Sequence, residues 1–181
     1  ILAYHEQASY KPDGQYDPDW NRTRCLFCVS NNGGVSWTSP QPLGVEGLET
    51  CSPYGRILPL SNGDWLMNVY GPYSERIEMP ANRRALPGDY AYLVRSSDGG
   101  LTWGEPSLIM AQHNETALLE LPGGRLLAVG RSSSAMQRLD YSFSNDGGRT
   151  WSMPLRLTGF MQHPADLVLL NNGWILCFYG D

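Results

Sequence analysis

The chain has 181 residues and a formal net charge of −5, which argues against a nucleic-acid binder, since such a protein normally shows a basic face. Charged residues are 17% and hydrophobic residues 41%, which excludes a disorder-type composition, and no apolar run reaches the ~18–20 residues of a membrane span. Twenty Gly, thirteen Pro, six Trp and ten Tyr disfavour a helical bundle and suit a chain of strands and turns.

In chain order, Ile1 to His5 reads as a strand, and a polar loop follows from Ser9 to Asn21. Arg24 to Val29 is a second strand. It holds Cys25 and Cys28, a CxxC whose members point to opposite faces of a strand. A zinc knuckle would need a tight turn there and a second pair, so no metal is expected. Next comes Ser30-Asn31-Asn32-Gly33-Gly34-Val35-Ser36-Trp37. The same pattern returns at Ser96 to Trp103 and at Ser144 to Trp151, in the form Ser-x-Asp-x-Gly-x-Thr-Trp. Asn32 and Ser36 are mild departures in the first copy. Each residue type suits a tight turn. Asp or Asn bonds forward to backbone N–H groups, Gly supplies positive φ, and Trp packs as the next strand begins.

Between these turns lie hairpins. Gly55 to Leu60 pairs with Asp64 to Tyr70 across Ser61-Asn62-Gly63. Glu115 to Leu121 pairs with Arg125 to Arg131 across Pro122-Gly123-Gly124. Pro164 to Leu170 pairs with Trp174 to Tyr179 across Asn171-Asn172-Gly173. Asn-Gly between apolar runs is a strong hairpin signal. The repeating unit is therefore four antiparallel strands, A to D, with the Asp-containing turn between C and D. Such repetition predicts an all-β fold, a β-propeller of four-stranded antiparallel blades. The first unit lacks strand A and the last holds only A and B. The chain thus reads as about three and a half blades of one partial domain, residues 1–181, cut at both ends.

The repeated turn is the Asp box, and the chain resembles the sialidases (neuraminidases), six-bladed propellers that remove terminal sialic acid. The box itself carries no catalytic role. More specific is Asn114 to Arg131, which is similar to the sialidase Asn-Glu…Asp-Gly-Arg…Arg segment, with Gly123-Gly124-Arg125 at its centre. The resemblance implies that Glu115 assists a tyrosine nucleophile and that Arg131 belongs to an arginine clamp on the substrate carboxylate. Hairpin arithmetic about Gly123 independently pairs position 115 with position 131. An exposed cross-strand ion pair is the plainer reading of those two charges. In the first blade, Ile1 to Gln7 looks like the strand after an Arg-Ile-Pro motif, and Glu6 corresponds to a Glu that braces the arginine site. An acid/base Asp is expected on the following loop. Counting from Glu6 gives Asp13, and counting back from the first box gives Asp19. Asp17 stays open as well. The nucleophilic tyrosine and the other clamp arginines are expected outside this segment.

Tyr54 and Arg56 are the blade-two residues expected nearest Glu115, as substrate-binding residues or as a core Tyr and a rim Arg. His113 and His163 precede inner strands in successive blades. The implied activity is an exo-α-sialidase-like retaining glycoside hydrolase acting on a sialylated glycan or other acidic carbohydrate. It needs no cofactor, and its substrate class suggests a secreted or periplasmic protein. Two other readings stand: a polysaccharide lyase on uronic acids, using His113 or His163, and a non-catalytic module that binds carbohydrate or protein.

Overall fold

The computed structural model describes residues 1–8, 10–17, 22–80, 85–135 and 137–180. Every regular element among them is a strand. The first sheet holds β1 (Leu2–Ala8), β2 (Arg22–Cys28) and β3 (Gln41–Pro42), in the order β1-β2-β3. The second holds β4 (Ser52–Pro59), β5 (Trp65–Gly71), β6 (Tyr90–Ser96) and β7 (Gly104–Ala111), in chain order. The third repeats this with β8 (His113–Glu120), β9 (Leu126–Ser132), β10 (Leu139–Ser144) and β11 (Leu155–Arg156). The last sheet is the pair β12 (Ala165–Leu169) and β13 (Ile175–Tyr179). All neighbours are antiparallel. The second and third sheets are whole propeller blades, A to D. The first lacks the inner strand, and the last contains the inner two, as the repeat pattern predicts.

The sequence of the middle strands dictates how blades stack. Along β6, Tyr90, Tyr92 and Val94 enter a core shared with Cys25 and Phe27 of β2. The alternate residues Ala91 and Leu93 enter a second core with Leu126 and Ala128 of β9. Along β9, Leu127 and Val129 turn the other way, into a third core with Ala165 and Leu167 of β12. A strand has a period of two, so both faces of these strands are buried, each against a different blade. That is why they read as unbroken apolar runs. Burying each such Leu, Val or Phe side chain contributes about 1.5–3 kcal/mol. Cys25 packs in the first core with Cys51, whereas Cys28 lies outside that cluster, so the strand separates the CxxC pair. No helix among the described residues is long and apolar enough to cross a membrane.

All three Asp boxes lie between the third and fourth strands of their blades. In the third, Asp146 accepts hydrogen bonds from Ser144 Oγ (2.7 Å), Arg149 N (3.0 Å), Thr150 N (2.9 Å) and Thr150 Oγ1 (2.5 Å). Gly148 donates to Ser144 Oγ at 2.8 Å, and Trp151 Nε1 donates back to Gly148 O at 3.1 Å. Asp98 repeats the scheme with Ser96, Leu101 and Thr102. Asn32 makes the amide version, accepting from Ser30 Oγ and Ser36 N and donating to Ser36 Oγ. Gly148 has φ +90°, and a Cβ there would sit 2.5 Å from Leu93 of the preceding blade. Buried Arg95 of β6 also reaches this box, donating to Gly147 O while pairing with Asp64 at 3.0 Å. The box therefore joins blades as well as closing a turn.

Candidate functional site

The start of strand A and the connection from B to C share one rim of each blade, opposite the Asp boxes. Cys51 N, just before β4, donates to Thr23 O, and Thr23 pairs with Gln7 at the end of β1. The end of β1 thus lies at the rim where β4 begins. In the third blade, Ser133 N from the β9–β10 connection donates to Gln112 O beside β8.

Glu115 and Arg131 meet at this rim. From Thr116↔Gly130 to Glu120↔Leu126 the β8–β9 register is constant, but His113 pairs with Ser132. One extra residue therefore bulges from β8 between His113 and Thr116. Bulges re-aim side chains, and here Arg131 Nη1 donates to Glu115 Oε2 at 2.7 Å. The side chains are 26% and 24% exposed, so the pair is largely removed from solvent yet open on one side. That departs from the plain surface ion pair. Asn114 is held beside it, donating from Nδ2 to Asp89 Oδ2 (3.1 Å), while its Oδ1 accepts from Glu115 N (2.8 Å).

The second guanidinium nitrogen, Arg131 Nη2, donates to Gln137 Oε1 at 3.2 Å. His163 Nε2, from the turn before β12, shares the same acceptor at 3.2 Å. Burial and the nearby Arg131 charge push the His163 pKa down, against the opposing pull of Glu115. Arg131 Nε and His163 Nδ1 are buried without a partner among the described residues. Buried polar atoms are nearly always satisfied, so this cluster holds unspent hydrogen-bonding capacity.

Tyr54 and Arg56 approach from β4. Its pairing with β5 shifts between Tyr54 and Leu58, and Gly55 in that stretch has φ +73°. Tyr54 OH donates to Ala165 O at 3.1 Å. Its pKa is pushed up to about 12 by burial first, then by the charge of Glu115. Tyr70 at the end of β5 is also pushed up, by burial chiefly and by Glu115. Arg56 Nη2 reaches Asp166 (2.9 and 3.1 Å) and Leu167 O (2.8 Å) on the inner strand two blades on. Both residues also line a cleft of about 570 Å³ between β1 and β4.

The remaining expected residues lie apart. Asp13 is exposed on a small hairpin closed by the Tyr10↔Tyr16 bridge, and its Oδ1 accepts from Gln15 N at 3.0 Å. Asp17 pairs with Lys11 at 2.9 Å. Asp19 lies outside the described residues. Glu6 pairs with Arg24 of its own blade. His113 is buried and turned inward, bonded to Ala111 O (2.8 Å) and Asp140 Oδ2 (3.1 Å). Sequence reasoning missed Gln137, Tyr70, Asp89 and Asp166. Nothing in the local pattern marks Gln137, which lies in an irregular connection and meets Arg131 only after folding. Among the described residues no group of His, Cys, Asp and Glu has the arrangement of a metal site.

The blade geometry has counterparts among solved structures. A protein of unknown function from Dyadobacter fermentans matches with a TM-score of 0.75 at 23% identity, over 99% of this chain and 52% of that one. A Hadza microbial sialidase matches at 0.63 with 17% identity, over 87% of this chain and 31% of that one. A NanB sialidase from Streptococcus pneumoniae matches at 0.61 with 20% identity, over 82% and 22%. The chain thus spans about half, or less, of the chains it matches. At these identities the likeness is one of fold. No curated protein matches the sequence. The Asp-box turns and the blade order agree with the family model for BNR repeat-like domains, which matches residues 9–181, and the chain belongs to that family.

Proposed function

We propose that this chain forms part of an exo-sialidase-like glycoside hydrolase acting on a sialylated glycan or a related acidic carbohydrate. The observation that carries the reading is the Glu115–Arg131 pair at 2.7 Å, on a bulge at one rim, with partnerless polar atoms beside it. Sialic acid bears its carboxylate on the anomeric carbon. Arg131 offers that carboxylate a planar array of donors. A carboxylate nucleophile would meet the substrate's own charge, and a tyrosine hydroxyl avoids this repulsion. Glu115 would then take the tyrosine proton as the bond to the anomeric carbon forms.

Neither Tyr54 nor Tyr70 suits the nucleophile, because burial makes both harder to ionise and Tyr54 already donates to Ala165 O. The proposed nucleophile is instead the tyrosine that the sialidase resemblance implies outside these residues. Tyr54 instead serves the wall of the pocket, and Arg56 with Asp166 braces the inner strands. An Asp of the loop after β1, either Asp13 or Asp19, would protonate the leaving oxygen and then activate water. The likeness in fold to solved sialidases supports the class of chemistry.

The test is release of free sialic acid from a sialoside by the purified protein, and its loss in Glu115→Ala and Arg131→Ala. Near-full activity in either variant would sink the assignment. An unsaturated sugar absorbing in the ultraviolet would point to the lyase instead. The burial of His113 between Ala111 O and Asp140 weighs against it as a lyase base. Binding without turnover would leave the non-catalytic module.

A further inference from the structure

Gln137 stands in the β9–β10 connection with φ +41°, in the left-handed region that non-glycine residues seldom enter. Such positions persist where surrounding contacts hold them, often at functional sites. Its Oε1 is held by two donors from different blades, Arg131 Nη2 and His163 Nε2, each at 3.2 Å. The two ends of an amide have nearly the same shape, so chemistry must decide which end faces Arg131. A guanidinium can only donate. Turning the amide over would set its N–H against the N–H of Arg131 and lose that contact. The Oε1 end therefore faces Arg131 and His163, and His163 presents a protonated Nε2. The Nε2 end of Gln137, with two N–H donors, is left directed away from both, with no acceptor among the described residues.

We infer that Gln137 is a ligand-binding residue, whose Nε2 amide donates to an oxygen of the same acidic sugar whose carboxylate Arg131 holds. The inference rests on the sialidase-like reading and deepens it. Arg131 supplies the charge, and Gln137 adds a neutral donor fixed in direction. His163 positions that donor from the next blade, so the pocket requires two blades to be in register. The orientation is set before a ligand arrives, which reduces the ordering cost of binding.

Two variants separate the ends of the amide. Gln137→Glu keeps an acceptor for Arg131 and His163 and replaces the donor. Gln137→Met keeps the length and removes both. With a sialoside substrate, both variants are expected to raise KM by about tenfold, the scale of one charge-assisted hydrogen bond. kcat should change far less, and the thermal midpoint should stay near that of the parent. For Gln137→Glu the loss should persist at high salt, because a missing donor is not screened and simple charge repulsion is. A normal KM in Gln137→Glu alongside an impaired Gln137→Met would overturn the donor role in favour of mere support of Arg131. A KM loss that salt abolishes would overturn it too. If the parent protein releases no sialic acid, the hydrolase reading fails by itself. Binding of free sialic acid, followed by NMR, then decides the inference: weaker binding in both Gln137→Met and Gln137→Glu upholds it, and parent-like binding in Gln137→Glu, or no binding in the parent, overturns it.

Discussion

The two rims of these blades solve opposite problems. At the Asp-box rim, each carboxylate or amide finds its partners within its own turn, from Ser144 to Thr150 around Asp146 and from Ser96 to Thr102 around Asp98. At the other rim, partners come from different strands and blades. Arg131 looks to Glu115 on β8 and to Gln137 in a loop, Gln137 looks to His163, and Tyr54 to Ala165. In the first arrangement the box carboxylates and amide are satisfied without a ligand, although Trp103 Nε1 of the second box has no partner among the described residues. The second leaves Arg131 Nε and His163 Nδ1 unmatched. A carboxylate satisfied within its own turn fixes that turn, and a cluster drawn from several blades with unmatched donors and acceptors leaves a surface on which a polar ligand gains hydrogen bonds.

The largest effect that tests this division is at Arg131. Arg131→Ala should lower kcat/KM on a sialoside by about two orders of magnitude or more, as expected when a charge that stabilises the transition state is removed. Glu115→Gln keeps the shape but not the proton acceptor, and should lower kcat by a comparable factor with a smaller change in KM. Asp146→Ala should do the reverse. Losing its ring of hydrogen bonds should cost about 1–3 kcal/mol of stability, read as a lower denaturant midpoint, with KM unaltered. If Asp146→Ala changed KM as Arg131→Ala does, the two rims would not be separate in function.

The acid side of the stability profile gives a subtler comparison. Burial tends to raise the Asp146 pKa, but hydrogen bonds from Thr150, Ser144 and Arg149 N hold it down at about 2, from 3.8. Asp98 is held down chiefly by Ser96 and Thr102. A depressed carboxylate contributes stability fully above its unfolded value and loses it as pH falls through the folded value. Stability should therefore drop below about pH 4 and continue falling towards pH 2. In Asp146→Asn the denaturant midpoint should vary less with pH over that window. The smallest effect is expected at Arg56 and Asp166, which are 59% and 56% exposed. Arg56→Ala should cost about 0–1 kcal/mol in thermal unfolding. A larger cost would mean that this contact, and not the blade cores, sets the curvature of the inner strands.

Glu115 and Arg131 were legible before folding because hairpin pairing is arithmetic once the Gly123 turn is fixed. The bulge in β8 was not legible, since it depends on how Asn114 is held by Asp89 of the preceding blade. Arg56 illustrates the same limit. Its position on β4 follows from the hairpin, but its partner Asp166 lies 110 residues on. His113 and His163 look alike in sequence, each near the start of an inner strand, and yet one is buried against Asp140 and the other joins the Arg131 cluster.

By itself, the sequence determined what is local. The Asp boxes, the hairpin turns, the alternation that buries both faces of β6 and β9, and the blade order all follow from residues a few positions apart. Backbone geometry and side-chain period act at that range. Only the tertiary structure decided which groups meet at the opposite rim, because three blades must pack before Gln137, His163, Tyr54 and Ala165 come within reach of one another and of Arg131. Hydrogen bonds act over about 3 Å, so contacts between blades depend on packing that no short stretch of sequence encodes.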